Sequence, residues 1–279
     1  MVKLINDKII ITMKNNKIIY PIMASLMLIF SACEPIVEEE HLSNSTNVEG
    51  VSLVATQSTP GGNEITLEMK TPGITGYWDY NLGKALTDKV TIVHPIPGKS
   101  TFTFVGSLGA ELFTKTVDVQ VDVLDHPLAQ YWYDLVSTNT AVGKTWVFYK
   151  DNPETNGDGP LWWFMSNIDN PDGAMGAWWN AGACCPPGDH SGKIHFDLNG
   201  ATNYTYYETP TATPTEGSFD LDMANNKITF IGAPLLGSSE RGNPKGVYTI
   251  VSLTSDKLVL YNPKTPEGNS GWTWVFRPQ

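Results

Sequence analysis

The chain has 279 residues, of which 29 are acidic and 18 basic, so its formal net charge at pH 7 is −11. This excess of negative charge repels nucleic acids and anionic membrane surfaces, which argues against both as partners. Only 17% of the residues are charged, whereas 25 glycines and 19 prolines supply frequent turn signals. The composition favours many short β-strands joined by turns.

The N-terminal segment has the composition of a secretory signal. Lys14 and Lys17 precede an apolar run, 18–30, and two small residues stand directly before Cys33. A basic stretch, an apolar run of about a dozen residues and small residues at the cleavage point are typical of such signals. Because a cysteine follows them, the segment resembles a bacterial lipoprotein signal. The resemblance implies that residues 1–32 are removed and that Cys33 receives a lipid anchor.

Residues 33–47 are polar and lack hydrophobic periodicity, which predicts a flexible tether. Their acidic run, 38–40, resembles the surface-export signal of Bacteroidetes lipoproteins, and this implies an outer-membrane anchor with the protein exposed on the cell surface. An ordinary solvated tether is the alternative. Without residues 1–32 the chain has 14 basic and 28 acidic residues, a net charge near −14. A neutral polysaccharide suits that charge better than an acidic one.

Residues 48–125 are predicted to form a small β-sandwich. Apolar and polar residues alternate in 101–105 and 116–123, which is typical of strands with one buried face. Pro-Gly pairs at Pro72-Gly73 and Pro97-Gly98 mark turns between them, and short strands with this spacing are typical of a sandwich. The predicted strands are 51–55, 64–70, 77–80, 90–94, 101–105 and 111–123.

This first region resembles a PKD domain. The features shared with that family are the strand 77–81 (Tyr-Trp-Asp-Tyr-Asn), His94, the Pro97-Gly98 turn, the alternating strand 101–104 and a closing Val-rich strand. The resemblance implies an immunoglobulin-like sandwich that acts as a spacer.

Residues 126–279 are predicted to form a second, larger β-domain. Leu128, Trp132 and Leu135 share one helix face, which predicts a short linker helix over 127–137. Trp272 and Trp274 alternate with polar or small residues near the C-terminus, so we expect both in the core. About nine strands in this length predict an antiparallel sandwich or a closed barrel, and an all-β protein overall. The predicted strands are 144–150, 161–165, 193–198, 203–207, 218–223, 227–231, 246–253, 257–261 and 271–277.

The second region resembles the C-terminal module of Bacteroidetes PKD-containing surface lipoproteins. The matching segments are 143–148 (Gly-Lys-Thr-Trp-Val-Phe), 178–182 (Trp-Trp-Asn-Ala-Gly), 193–200 and the ending 272–278. Such proteins are SusE-like surface glycan-binding proteins of polysaccharide-uptake systems. The resemblance implies a neutral polysaccharide as ligand, with a laminarin-like β-glucan as the first candidate. It also implies a neighbouring SusC/SusD-like outer-membrane transporter.

Eight of the nine tryptophans follow residue 131, and four of them form two adjacent pairs, 162–163 and 178–179. Neighbours on a strand point to opposite faces, so each pair on a strand would leave one indole outside the core. An exposed indole is an apolar platform on which a sugar ring stacks. The alternatives are that loops bury the rings or that they contact a partner protein. The predicted ligand residues are Trp178, Trp179, Trp163 and Trp162, with Asp169, Asn170 and Asp172 as polar partners.

The loop 151–160 also suggests a calcium site. Asp151, Glu154, Asn156 and Asp158 place oxygen ligands at close spacing, as calcium requires. Their spacing does not match an EF-hand, and turn formation by the same side chains is the alternative. We therefore predict no cofactor other than this optional structural calcium.

Cys184 and Cys185 are adjacent in a Pro/Gly-rich loop. Because exported chains meet oxidising conditions, a vicinal disulfide is one prediction for them and two free thiols are another. A zinc site with His190 and His195 is a third interpretation, disfavoured because adjacent cysteines rarely bind one tetrahedral ion.

Sequence motifs for catalysis are missing from the chain. It contains no Gly-X-Ser-X-Gly elbow, no His-Glu-X-X-His pair, no phosphate-binding loop and no dinucleotide fingerprint. We therefore predict a binding protein without enzymatic activity. The alternative function is a structural or protein-interaction lipoprotein of the cell envelope.

Overall fold

The structure, a computed structural model, describes residues 49–108, 111–167, 170–239, 241–266 and 270–279. The predicted signal peptide, Cys33, the tether and Asp169 lie outside the described residues. Within these residues, no helix has both the length and the apolar character needed to cross a membrane. Strands dominate, and they pair antiparallel throughout the described sheets, so the predicted all-β class is confirmed.

The first seven strands form a two-sheet sandwich. The alternating pattern of β6 explains its core: Phe102 and Phe104 are fully buried, whereas Thr101 is exposed and Thr103 is half-buried. Trp78 and Phe113 complete the centre of this core. The strands are β1 (Leu53–Gln57), β2 (Glu64–Met69), β3 (Thr75–Asp79), β4 (Lys84–Ala85), β5 (Lys89–Val93), β6 (Gly98–Leu108) and β7 (Glu111–Val121). The two sheets have the strand orders β1-β2-β5 and β4-β3-β6-β7.

A short helix then leads into eleven further strands. The helix, α1 (Gln130–Val136), confirms the predicted linker helix, and it buries Trp132 and Leu135. The other elements are β8 (Lys144–Phe148), β9 (Thr155–Asn156), β10 (Gly159–Pro160), β11 (Trp163–Ser166), a 3₁₀ turn (Pro171–Gly173), α2 (Ala181–Cys184), β12 (Lys193–Asp197), β13 (Asn203–Tyr207), β14 (Thr215–Asp222), β15 (Lys227–Ile231), β16 (Val247–Leu253), β17 (Leu258–Asn262) and β18 (Gly271–Pro278).

Eight of these strands close into an up-and-down barrel, one of the two predicted forms. The order is β8-β12-β13-β14-β15-β16-β17-β18, and β18 pairs back onto β8 with Phe276 opposite Phe148. The N-terminal half of β18 pairs with β11 instead, with Trp163 opposite Trp274. Strands β8 and β11 therefore share one edge of β18.

Side chains fill the barrel interior. An eight-stranded barrel is just wide enough for them to do so, and Trp146 is among the fully buried residues at its centre. Helix α1 closes the end where β8 begins, and Trp146 Nε1 donates a hydrogen bond to Leu135 O at 3.0 Å. The opposite end, where β12 begins, is closed by Leu236: a Cβ on Gly192 would lie 2.7 Å from Leu236 Cδ2. The interior is therefore a packed core.

The sandwich and the barrel belong to one compact unit. Ile96 is part of the barrel's core cluster, and Leu82 and Leu124 pack against it. The two parts are therefore in direct contact through apolar side chains.

Candidate functional site

Trp163 of the first tryptophan pair faces the barrel interior. Its side chain is 4% exposed, and its ring stands edge-on to Trp272 with 4.8 Å between ring centroids. Its Nε1 donates to Gly237 O at 3.2 Å. Both the ring and its polar atom are therefore engaged within the protein.

Trp162 is also buried, with 6% of its side chain exposed. It precedes β11 and packs on Phe148, 4.9 Å between centroids. Helix α2 covers it so closely that a Cβ on Gly182 would lie 2.6 Å from Trp162 Cε2. The expectation that this pair leaves an exposed indole is wrong, because α2 covers the ring that does not face the barrel core. Neither Trp162 nor Trp163 is available for stacking on a ligand.

The second tryptophan pair, Trp178 and Trp179, is exposed. Trp178 is 61% exposed and Trp179 is 40% exposed. Among the residues described, these two are the only exposed aromatic side chains. A solvent-facing indole leaves a large apolar area in contact with water, and an adjacent pair doubles that area at one place.

The backbone beneath the exposed pair is fixed by hydrogen bonds to β11. Trp178 N donates to Met165 O at 2.9 Å, and Met165 N donates to Trp179 O at 3.0 Å. This isolated antiparallel bridge pairs Met165 with Trp179, while Met165 also lies opposite Trp272 across the β11–β18 pair. Directly opposite residues share a face, so the side chains of Trp179, Met165 and Trp272 form one row.

The ring of Trp179 is supported from below. It stands at 84° to the buried Trp272 ring, with centroids 6.1 Å apart. The guanidinium carbon of Arg241 lies 5.1 Å from the centroid of the same Trp272 ring, a distance typical of a cation–π contact. The exposed pair thus rests on an ordered base and is not on a free loop.

The loop before the pair carries the predicted polar partners. Asn170 Oδ1 accepts a hydrogen bond from Asp172 N at 3.0 Å, which caps the 3₁₀ turn, and both residues are exposed. Thr273 Oγ1 donates to Ala174 O at 2.6 Å and holds the loop on the barrel. Asn170 therefore has a local structural role, and both residues stand on the loop that leads into Trp178.

Asn180 follows the exposed pair and was missed by sequence reasoning. It is buried, and its Nδ2 lies within hydrogen-bond distance of Asn156 Oδ1, Gly159 O and Pro160 O, at 3.1–3.2 Å. These bonds tie the end of the platform segment to the 151–160 loop. Only the folded chain brings the two segments together.

The predicted calcium ligands have protein partners of their own. Arg277 Nε donates to Asp151 Oδ1 at 3.1 Å, and Lys257 Nζ pairs with Glu154 Oε1. Asn156 Oδ1 accepts from Asp158 N at 3.0 Å, the turn geometry that was the alternative. No cluster of three or more His, Cys, Asp or Glu residues suited to a metal ion occurs in the described part of the chain.

Cys184 and Cys185 are exposed free thiols, so the structure has the second of the predicted states and not the vicinal disulfide. A hydrogen bond with the Cys184 thiol raises the pKa of Cys185. The third interpretation required two nearby histidines. Instead, His190 Nδ1 lies 2.8 Å from Lys150 Nζ, and His195 Nδ1 lies 2.9 Å from Thr145 Oγ1.

Comparison with known proteins does not indicate a function for this chain. A scan of protein families and a search of curated proteins both find no match to this chain. The candidate site is therefore defined by its residues alone: Trp178 and Trp179 as the exposed surface, with Met165, Trp272 and Arg241 beneath them.

Proposed function

We propose that this protein is a non-catalytic surface glycan-binding protein that captures a neutral polysaccharide on Trp178 and Trp179. The observation that carries the proposal is the pair of adjacent, exposed indoles held on a fixed backbone. Exposing two such rings is unfavourable in water unless a ligand covers them. Sugar rings have a flat apolar face of matching size, bordered by hydroxyl groups.

The arrangement of the two rings suits a long, linear ligand. Trp178 and Trp179 are adjacent in the segment that is hydrogen-bonded to β11, so a chain lying across that segment would contact both. Asn170 and Asp172, on the loop leading into the pair, have exposed oxygen atoms that would accept hydrogen bonds from hydroxyl groups. Each such bond replaces one to water, so affinity for a single site would be weak.

The packed barrel supports surface binding over binding inside the barrel. Its interior is occupied by aromatic side chains such as Trp146 and Trp274, both fully buried. A ligand would have to displace this core to enter. The net negative charge favours a neutral polysaccharide over an acidic one.

The remaining parts of the proposal rest on the lipoprotein and module resemblances. Cys33 would carry the lipid that anchors the chain in the outer membrane, and the β1–β7 sandwich would hold the barrel away from the membrane. The captured polysaccharide, with a laminarin-like β-1,3-glucan as first candidate, would pass to a SusC/SusD-like transporter. The barrel would perform no chemistry on it.

The exposure of the two tryptophans also supports a second candidate function. Exposed tryptophans are also enriched where proteins bind one another, so Trp178 and Trp179 would equally suit docking on a partner protein of the cell envelope. The two functions predict different responses to polysaccharide.

Native gel electrophoresis of the full-length chain in detergent separates them. The gels would contain laminarin, mixed-linkage glucan, xylan, mannan or starch. We expect retardation by one neutral glycan, and we expect it to be weaker in Trp178→Ala and in Trp179→Ala. The control is Leu86→Ala, because Leu86 is 87% exposed and lies in the sandwich. Absence of retardation by every glycan, or retardation that both tryptophan substitutions leave unchanged, would refute the proposed site. Release of reducing ends from the retarding glycan would refute the non-catalytic function.

A further inference from the structure

A groove lies between the sandwich and the barrel, at the barrel end that α1 closes. It has a volume of about 550 Å³ and is lined by 79–84 from the β3–β4 turn, Tyr131 of α1 and 220–224 from the β14–β15 turn. This volume is within the range of ligand sites. Trp178 and Trp179 lie at the other end of the barrel, beside the start of β18, so the groove is a separate feature.

Two tyrosines form the apolar wall of the groove. The Tyr80 side chain folds over its own turn, since a Cβ on Gly83 would lie 2.6 Å from Tyr80 Oη. Burial, assisted by the nearby Tyr80 phenol, raises the pKa of Tyr131. Tyr80 and Tyr131 are therefore neighbours in the groove lining. Each presents an aromatic face together with a hydroxyl group, and Leu82 lies between the domains beside them.

The polar side of the groove is made of hydrogen-bond acceptors. Asp79 Oδ1 accepts from Asn81 N at 3.1 Å, and Asp222 Oδ2 accepts from Asn225 Nδ2 at 2.7 Å. These bonds orient the two carboxylates, and Asp220 is exposed beside them. Among the described residues, Lys84 is the one cation in this lining. Three carboxylates against one ammonium group repel anions but accept hydrogen bonds from hydroxyl groups.

A smaller chamber of about 130 Å³ opens from the same walls, sharing Tyr80, Leu82 and Tyr131 with the groove. His94 lines this chamber and is 1% exposed. Its Nε2 lies 2.8 Å from Ser100 Oγ, whereas its Nδ1 has no hydrogen-bond partner among the described residues. A buried polar atom without a hydrogen-bond partner destabilises the folded protein. A polar group of a ligand in the chamber would therefore be stabilised by a hydrogen bond with His94 Nδ1.

The groove also continues past the tip of the β3–β4 turn. A second hollow of about 540 Å³ shares Asn81, Leu82 and Asp220 with it. Its far wall includes Thr202 and Ser218 of the barrel. The two adjoining hollows together would accommodate a chain of several units.

We propose that this interdomain groove is a second binding site, for a neutral oligosaccharide. Sugar rings pack on Tyr80 and Tyr131, hydroxyl groups donate to Asp220 and Asp79, and one hydroxyl group enters the chamber toward His94. The proposal does not depend on the tryptophan pair. Two sites at opposite ends of the barrel would let one protein bind a polysaccharide at two points, which raises overall affinity without stronger single contacts.

The test uses full-length protein that carries Trp178→Ala and Trp179→Ala, so that only the groove is measured. Hexasaccharides from β-1,3-glucan, β-1,4-glucan, xylan, mannan and starch are titrated by calorimetry. Hydrogen exchange is followed at 79–84 and 220–224. We expect one neutral hexasaccharide to bind and to protect both segments. Asp220→Asn, at an exposed position, should weaken binding about ten-fold through the lost charged acceptor. Glu216→Gln is the matched control, on the same strand and exposed but outside the groove.

Several results would overturn the groove proposal. The first is that none of the hexasaccharides binds the doubly substituted protein. The second is binding that leaves both segments unprotected or that Asp220→Asn does not change. The third comes from a titration with spermidine as a cationic probe: if spermidine protects both segments and no hexasaccharide does, the groove is a cation site. Loss of all binding in the double variant would overturn the groove but leave the tryptophan platform intact. If a hexasaccharide protects the groove segments but Trp178→Ala leaves glycan retardation unchanged, the tryptophan platform would be overturned and the groove would remain.

Discussion

Trp179 stands edge-on to the buried Trp272, with ring centroids 6.1 Å apart and ring planes at 84°. One ring is 40% exposed and the other 1% exposed. The contact joins the surface platform to the barrel core, because Trp272 also meets Trp163 inside the barrel. A flexible loop would lose conformational entropy on binding a glycan, and this contact reduces that loss.

Replacing the buried Trp272 should lower the free energy of unfolding much more than replacing the exposed Trp178. Trp272→Ala removes a fully buried ring and is expected to destabilise the fold by about 3–5 kcal/mol. Trp178→Ala removes an exposed ring and should change stability by about 0.5 kcal/mol or less. Urea unfolding of the two variants measures both values. Equal losses would show that Trp178 is part of the core and not a platform.

Gly182→Ala should disturb the cover over Trp162. The added Cβ would lie 2.6 Å from Trp162 Cε2, in the rigid indole, so either α2 or the ring must move. We expect a loss of about 1–3 kcal/mol from overpacking. Gly188→Ala is the control, since a Cβ on Gly188 would have no neighbour within 4 Å and the backbone there is not left-handed. Equal urea midpoints for the two variants would contradict the packing.

Asp189 should be required for closing the barrel end opposite α1. Its carboxylate accepts from Gly237 N at 2.9 Å and from Tyr206 Oη at 2.9 Å. Removing a buried acceptor leaves both donors unpaired, so Asp189→Ala should cost about 2–4 kcal/mol in unfolding free energy. Tyr206→Phe removes only one of the bonds and should cost less. Asp158→Ala, at an exposed turn, serves as the comparison. The same urea series on all three variants checks the order.

His94 should make the fold less stable in acid. Burial lowers the pKa of His94 from 6.5 to about 4. Between these two pH values the unfolded chain binds a proton that the folded chain does not. Stability contributed by neutral His94 is therefore complete above about pH 6.5 and falls as the pH drops toward 4, by about 3 kcal/mol at most.

The measurement is urea unfolding at pH 7, 6, 5 and 4.5, compared with His94→Gln. Glutamine retains a hydrogen-bonding group near Ser100 but does not titrate. The carboxylates and the other histidines are common to both proteins, so the difference in slope isolates His94. Parallel pH profiles would show that His94 titrates alike in the folded and unfolded protein, and that burial does not lower its pKa.

Most of the strands could be predicted from the sequence. Strands β13 and β15 have the predicted bounds, 203–207 and 227–231, and the other longer strands overlap their predicted ranges. These segments alternate clearly, because one face of each packs against a core. The two-residue strands β4, β9 and β10 were missed, since two residues have no periodicity to detect.

The candidate site was only partly predictable. Both tryptophan pairs have the same local sequence signal, yet one pair is buried and the other exposed. The difference comes from what covers them: α2 packs over Trp162, whereas the segment containing Trp178 lies on the edge of β11. The interdomain groove gave no sequence signal, because 79–84 and 220–224 are about 140 residues apart and meet only in the folded chain.

The sequence by itself determined the all-β class, the positions of the strands and the short helix, since these follow from local alternation and turn chemistry. The tertiary structure alone decided that the larger sheet closes as a barrel, through the pairing of Phe276 with Phe148. It also decided which tryptophans face water. Closure and burial depend on contacts between residues far apart in the chain, and periodicity within one segment contains no information about its distant neighbours.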